Sequence, residues 1–307
     1  MFIRRLPNFI YHAPSSLSTA LDLLCKEGEK ARVFAGGTDL FVTMKKREAA
    51  PEHLINLKGI ADLKGIVHDP KEGMRIGASV TLEEIEHSKI VKEKFSALSD
   101  AVHVMASPQI RNLGTIGGNL CSAMPSADTA PPLIALGASV KIVGPRGERK
   151  VLVEHFFKGP GESVLRSDEI LTEILIPGPV ENTGGAYLKL MRRHAMDLAQ
   201  VGVAVCLSLD VEKNSCRKAK IALGAVAQTP IRAPKAEQIL MNQEMSQRLA
   251  KEAGKVASRE AAPRSSIRAS KEYRIAMIEV LTERALNSAC ERILNHAFSP
   301  GGRRLLR

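Results

Sequence analysis

Apolar residues recur along this chain at two spacings, a helical one and a strand-like one, and the two alternate. In residues 17–27, Leu17, Ala20, Leu21 and Leu24 stand at i, i+3, i+4 and i+7, which predicts an amphipathic helix. Ser15 or Ser16 is placed to cap its start, and Gly28 follows its end. Strand-like runs come next at Arg32-Val33-Phe34, Leu54-Ile55-Asn56-Leu57 and Met74-Arg75-Ile76-Gly77. Thr81 and Glu84 have the spacing of a capping box ahead of a short helix. Residues 91–106 predict one longer helix that stops before Ser107-Pro108. Pro131-Pro132 opens the next helix, where a missing amide hydrogen costs little. Pro145-Arg146-Gly147 turns a hairpin, and residues 170–176 read as a strand closed by Pro177-Gly178-Pro179.

That proline–glycine cluster predicts a boundary between a domain of residues 1–178 and one of residues 179–307. Beyond it lie three strand-like runs, 186–192, 200–209 and 217–226, with Glu212-Lys213-Asn214 turning the second into the third. Helices are predicted near 246–261 and 271–298, the latter with Ile275, Ile278, Leu281 and Ala285 on one stripe. Arg303-Arg304-Leu305-Leu306-Arg307 reads as a frayed tail. The whole pattern is α+β.

Composition narrows the picture. The 307 residues suffice for two buried cores, and 44% hydrophobic with 25% charged residues is ordinary for a globular protein. No apolar run approaches the roughly 18 residues needed to cross a bilayer. The opening MFIRRLPNFIYHAP lacks a continuous apolar segment and a small-residue cleavage site, so a cytoplasmic location is the expectation. Five scattered cysteines and eight dispersed histidines show no metal-ligand spacing, so no metal site is predicted. Net charge is +11, and residues 230–307, with 15 basic and 8 acidic groups, carry +7 of it. That segment has no basic block longer than two residues and no recognised nucleic-acid motif. A solvated helical face or a dock for an acidic partner is the reading, not nucleic acid.

The candidate chemistry lies in two glycine doublets about 80 residues apart, Ala35-Gly36-Gly37-Thr38-Asp39-Leu40 and Thr115-Ile116-Gly117-Gly118-Asn119. Glycine lets backbone amides approach an anion closely and tolerates positive φ. Neither GxGxxG nor GxxxxGK[ST] occurs. Two such loops predict a cleft for an extended diphosphate, although each doublet taken alone also fits an ordinary turn. Asp39 and Asp128 stay open between ligand and turn roles. Lys189 lies mid-strand among apolar residues, where its charge needs a partner or an exit to solvent. Tyr187 is open between a ligand contact and core packing. No general acid, base or nucleophile is evident, so no catalytic residue is assigned.

In order and spacing, FIYHAPSSLSTALDLL, AGGTDL, TIGGNL with SADTAPPL, FFKGPG, DEILTEILIP and YLKLMRRHAMDLAQVGVAV span nearly the whole chain. Together they resemble the FAD-binding medium subunits of molybdenum hydroxylases, the xanthine dehydrogenase and carbon monoxide dehydrogenase family. The resemblance implies a two-part FAD-binding domain of the PCMH type, made of α/β subdomains. A C-terminal domain of a three-stranded antiparallel sheet plus helices should follow. It implies that Val33, Phe34, Ala35, Gly36, Gly37, Thr38, Asp39 and Leu40 form a first FAD loop, gripping the diphosphate through amides and the Thr38 hydroxyl. Thr115, Ile116, Gly117, Gly118 and Asn119 match a second loop on the opposite wall. Asp128 matches an acidic position for sugar or linker hydroxyls, Leu171 an apolar contact, and Met105 a position in the adenine pocket. Lys189 and Tyr187 match positions near the isoalloxazine.

Further implications concern partners. A large subunit would carry the molybdenum cofactor and a small subunit two-iron, two-sulfur clusters, in a dimer of heterotrimers. The chain departs from its relatives in three places. Arg192, Arg193 and Asp197 sit in RRHAMD, where xanthine dehydrogenase-like relatives are more acidic, which puts NAD use in doubt. Cys121 stands without the extra cysteines of the cluster-binding branch, and Thr38 replaces a histidine used elsewhere for covalent flavin attachment. A stand-alone flavin oxidase and a binding module for a phosphorylated ligand remain rival readings.

Overall fold

The computed structural model describes residues 5–178, 180–193 and 195–298, with side chains through residue 295. The predicted C-terminal tail lies outside them. The chain opens with β1 (Ile10–His12), α1 (Leu17–Glu27), β2 (Ala31–Phe34), α2 (Leu40–Lys46) and β3 (His53–Asn56). The three strands form a parallel sheet in the order β1-β3-β2. Ser16 caps α1 by accepting the Thr19 amide at 3.2 Å, an arrangement whose loss costs about 1 kcal/mol. Ala20 and Leu24 of α1 bury against Ile55 of the central strand and Leu57, Ile60 and Leu63.

A second unit begins with β4 (Ile66–Asp69), β5 (Gly73–Gly77), α3 (Leu82–His87), α4 (Lys89–Lys94), α5 (Ser96–His103), α6 (Pro108–Arg111), α7 (Ile116–Cys121) and α8 (Ala130–Ala135). It continues with β6 (Ser139–Gly144), β7 (Gly147–Leu152), β8 (Phe157–Gly159), β9 (Glu162–Ser163) and β10 (Ile170–Ile176). Its antiparallel sheet runs β4-β5-β10-β6-β7, with the apolar β10 in the middle. Thr81 and Glu84 close the capping box of α3 as the spacing predicts.

Here the sequence reading needs correction. The single helix over 91–106 is broken at Phe95, whose backbone (φ −131°, ψ 50°) leaves helical geometry between α4 and α5. Phe95 is fully buried in the core, and this tertiary demand overrides helical continuity. The second glycine motif is likewise not a loop: Gly117 and Gly118 lie inside α7.

The C-terminal region holds β11 (Thr183–Leu190), β12 (Val201–Asp210), β13 (Ser215–Gly224), β14 (Ile231–Arg232), α9 (Pro234–Leu240), α10 (Gln247–Glu260) and α11 (Lys271–Phe298). The sheet has four antiparallel strands, not three, because the two-residue β14 adds to β13 through Ala222 and Leu223. No apolar alternation marks so short a strand. α10 and α11 lean on one face, and Gly254 lets them close: a Cβ there would stand 2.5 Å from the Glu279 carbonyl oxygen. From the other face Tyr187, Ala204 and Ala222 enter the N-terminal core beside Leu133 and Ile134. No helix of the described residues is long and apolar enough to cross a membrane.

Candidate functional site

The first glycine motif follows β2 directly and ends where α2 begins, so its backbone must turn sharply at the edge of the parallel sheet. Gly37 has φ +69°, and a Cβ there would strike the Phe41 ring at 2.5 Å. Gly36 is pressed against the second motif's approach: a Cβ would lie 2.3 Å from the Leu113 carbonyl oxygen and 2.9 Å from the Gly114 Cα. Among the described residues, the amides of Gly36, Gly37, Thr38 and Asp39 have no hydrogen-bond acceptor. They form a half-exposed row of unpaired donors, a state that water or a ligand must satisfy.

The second motif spends its donors internally. The Ile116 amide donates to the Val80 carbonyl at 3.1 Å, Gly117 to Ala78 at 3.0 Å, and Asn119 to Thr115 at 2.9 Å. The Gly118 amide donates to Thr115 Oγ1 at 3.1 Å, which makes Thr115 the N-cap of α7. Gly117 is fixed by packing, since its Cβ would sit 2.7 Å from both the Ala78 Cβ and carbonyl oxygen. Gly118 is exposed, and its Cβ would meet only Thr115 Oγ1, at 3.0 Å. Protein packing therefore fixes the first glycine of this doublet, while the second is exposed with Thr115 Oγ1 as its near neighbour.

Ser122 joins the two motifs. Its Oγ stands 2.7 Å from Asp39 Oδ2 and 3.0 Å from the Gly118 carbonyl oxygen, so its proton has either acceptor. Sequence reasoning missed Ser122, the C-cap of α7, because the segment read as a loop and gave no helical spacing to Gly118. Asn119 Oδ1 accepts the hydroxyl of fully buried Thr129 at 2.6 Å.

Asp128, next to Thr129, lies in a buried polar group. Tyr187 Oη donates to Asp128 Oδ1 at 2.8 Å, and Lys189 Nζ to Oδ2 at 2.8 Å. Lys189 Nζ also lies 3.4 Å from the Val104 carbonyl oxygen. Burial pushes the Asp128 carboxyl above its ordinary value, with the Lys189 charge and both hydrogen bonds pulling it back. Burial, then the Asp128 charge, raises the Tyr187 phenol well above its ordinary value. Gly202, directly opposite Lys189 in the sheet, leaves room for this group: a Cβ there would stand 2.6 Å from Tyr187 Oη. The partner that Lys189 needed is thus Asp128, a pairing across 61 residues that no local pattern announces.

The remaining predicted residues divide. Val33 and Phe34 end β2, with the Phe34 ring 5.3 Å from that of Phe41, and Leu40 opens α2. Met105 offers its carbonyl to Arg111 Nη1 at 3.0 Å, while Arg111 Nε lies 2.6 Å from Glu86 and 3.3 Å from Glu83. That clamp holds the segment running into the second motif. Leu171 is buried in β10 opposite Ile142 and packs in the core. Asp197 Oδ2 accepts the amides of Arg192 (2.8 Å) and Arg193 (3.3 Å), which hold its carboxyl below the usual range. Burial pushes the Cys121 thiol up to about 12, so it is not a thiolate nucleophile at neutral pH.

Comparison with known proteins accords with this geometry. Residues 7–179 match the family described as the FAD binding domain in molybdopterin dehydrogenase, and residues 186–289 the CO dehydrogenase flavoprotein C-terminal domain. The xanthine dehydrogenase FAD-binding subunit of Escherichia coli O157:H7 is 34% identical over 280 residues, 91% of this chain and 95% of that protein. The carbon monoxide dehydrogenase medium chain of Afipia carboxidovorans is 36% identical over 288 residues, 94% of this chain and 99% of that one. A solved carbon monoxide dehydrogenase from Hydrogenophaga pseudoflava superposes with a TM-score of 0.90 at 35% identity, covering 94% of this chain and 99% of its own. This chain belongs to the family of FAD-binding subunits of molybdopterin-dependent dehydrogenases.

Proposed function

We propose that this protein is the FAD-carrying electron-transfer subunit of a cytoplasmic molybdenum hydroxylase complex. In that complex a large subunit holds the molybdenum cofactor, a small subunit holds two-iron, two-sulfur clusters, and the assembly is a dimer of heterotrimers. The relatives support this reading by their names, as a medium chain and as an FAD-binding subunit. One related solved structure is described as lacking the Mo-pyranopterin moiety of a molybdenum cofactor. We assign residues 1–178 to the FAD-binding domain and residues 179–307 to the C-terminal domain.

The observation that carries the assignment is the row of unpaired amides at residues 36–39 beside the exposed Gly118. Bound FAD supplies the exchange of electrons between one-electron and two-electron carriers, and the protein supplies binding, orientation and electrostatics. The amides of residues 36–39 and the Thr38 hydroxyl donate to the diphosphate. Each hydrogen bond to a charged group is worth about 1.5–3 kcal/mol. Gly118 acts differently, by leaving space for the ligand's approach instead of donating. Val33, Phe34, Ala35, Leu40, Met105, Thr115, Ile116, Gly117, Asn119 and Leu171 shape and support the walls. Asp128, Tyr187 and Lys189 act as a unit in which each carboxylate oxygen holds one donor.

Purification of the native assembly, with identification of its chains, flavin, iron and molybdenum, tests the proposal. The expected result is flavin in this chain and the metals in two others. A chain that stays colourless after incubation with excess FAD overturns it.

A further inference from the structure

The C-terminal sheet meets the N-terminal region unevenly. At one end of the shared face Tyr187, Ala204 and Ala222 close into the N-terminal core. Toward the other end the contact opens into a cavity of about 110 Å³. The register sets Thr183, Ser208 and Lys218 in one cross-strand row and Gly185, Cys206 and Lys220 in the next. Residues opposite one another in antiparallel strands share a face, so both rows floor the cavity. Its other walls include Phe95, Leu136, Pro177 and Val180.

The charge of this cavity is one-sided. Lys94, Lys218 and Lys220 line it, and among the described residues no carboxylate does. The lysines that form ion pairs among the described residues are Lys26, Lys30, Lys46, Lys89, Lys141 and Lys189, none of them from this group. Lys220 is half-buried, and burial, then nearby Arg232 and Lys218, hold its ammonium below the ordinary value. The Thr183 hydroxyl is buried with no hydrogen-bond partner among the described residues. Gly137 leaves space for the Lys220 head: a Cβ there would lie 2.4 Å from Nζ. Lys94 and Lys218 are exposed at the mouth and Lys220 is half-buried, so one partly desolvated ammonium without an ion pair and one orphaned hydroxyl are the costs that an anion relieves.

We propose that this cleft is a binding site for a small organic oxyanion, its carboxylate or phosphate head on Lys218, Lys220 and the Thr183 hydroxyl and its short apolar body against Phe95, Leu136, Pro177 and Val180. The site uses none of the residues assigned to FAD and stands independently of that assignment. Both regions of the chain, with Pro177, Gly178 and Val180 between them, form its walls, so occupancy ties them together and stabilises the fold by mass action.

The test is calorimetry and thermal unfolding of the FAD-saturated protein with benzoate, phenyl phosphate and benzyl alcohol. The two anions separate the carboxylate from the phosphate source, and the alcohol removes the charge. At least one anion should bind and raise Tm, while benzyl alcohol should do neither. The Lys218→Met/Lys220→Met variant should lose tenfold or more in affinity for that anion with its flavin content unchanged. Lys94→Glu, at the exposed rim, should lose threefold or more and guards against a folding defect in the double variant. Binding of neither anion, equal binding of the alcohol, or undiminished affinity in both variants overturns the proposal.

Discussion

The two glycine doublets read alike in sequence and do opposite work in the structure. At residues 36–37 the glycines bend the backbone so that consecutive amides are left without acceptors. At residues 117–118 they sit in a helix whose amides are all paired, where Gly117 permits contact with Ala78 and Gly118 leaves a bare surface. The same residue type thus leaves a strip of unpaired donors at one motif, and a packing spacer and an exposed helix position at the other. A glycine motif alone does not say which, because the missing Cβ licenses all three.

Four substitutions sharpen or break this contrast. The largest effect is expected at the buried group under the second motif. Lys189→Met leaves Asp128 uncompensated and should cost about 3–5 kcal/mol, with Asp128→Asn/Lys189→Met costing less than the single change. Chemical denaturation of the three proteins checks this, and equal costs would remove Asp128–Lys189 as a coupled pair. Next, Gly117→Val forces side-chain atoms into the Ala78 backbone and should destabilise even the FAD-free protein by about 3 kcal/mol. An unchanged FAD-free Tm would break the assignment of Gly117 to packing.

Gly118→Ala should separate binding from folding. It should weaken FAD at least tenfold in a flavin titration, about 1.4 kcal/mol, while FAD-free stability shifts by less than about 1 kcal/mol. Unaltered FAD affinity would return Gly118 to the status of an ordinary helix residue. The smallest effect belongs to the bridge between the motifs. Ser122→Ala should cost about 1 kcal/mol of stability, and a double-mutant cycle with Asp39→Ala should show coupling. Strict additivity would mean that Asp39 and Ser122 do not interact in solution.

Much of the fold was legible beforehand. The periodicity of Leu17, Ala20, Leu21 and Leu24 yields α1, the Thr81–Glu84 spacing yields the cap of α3, and the alternation before Pro177 yields β10. These features depend on neighbours a few residues apart, which a linear reading sees. The break at Phe95, the added strand β14 and the helical state of Gly117 and Gly118 were not legible. Each is imposed by a contact with a distant segment: the buried core around Phe95, β13 beside β14, and the Ala78 and Val80 carbonyls beneath α7.

The same division runs through the site. Glycine placement alone pointed to a diphosphate cleft, and the resemblance of a long run of motifs to a known family supplied the family and its flavin, because both rest on local backbone capacity and residue order. Only the folded chain decided which amides stay free, that Ser122 bridges to Asp39, and that Lys189 ends on Asp128 beside Tyr187. Hydrogen-bond satisfaction and charge pairing are settled by which groups meet in three dimensions, and residues 61 positions apart carry no mark of their meeting.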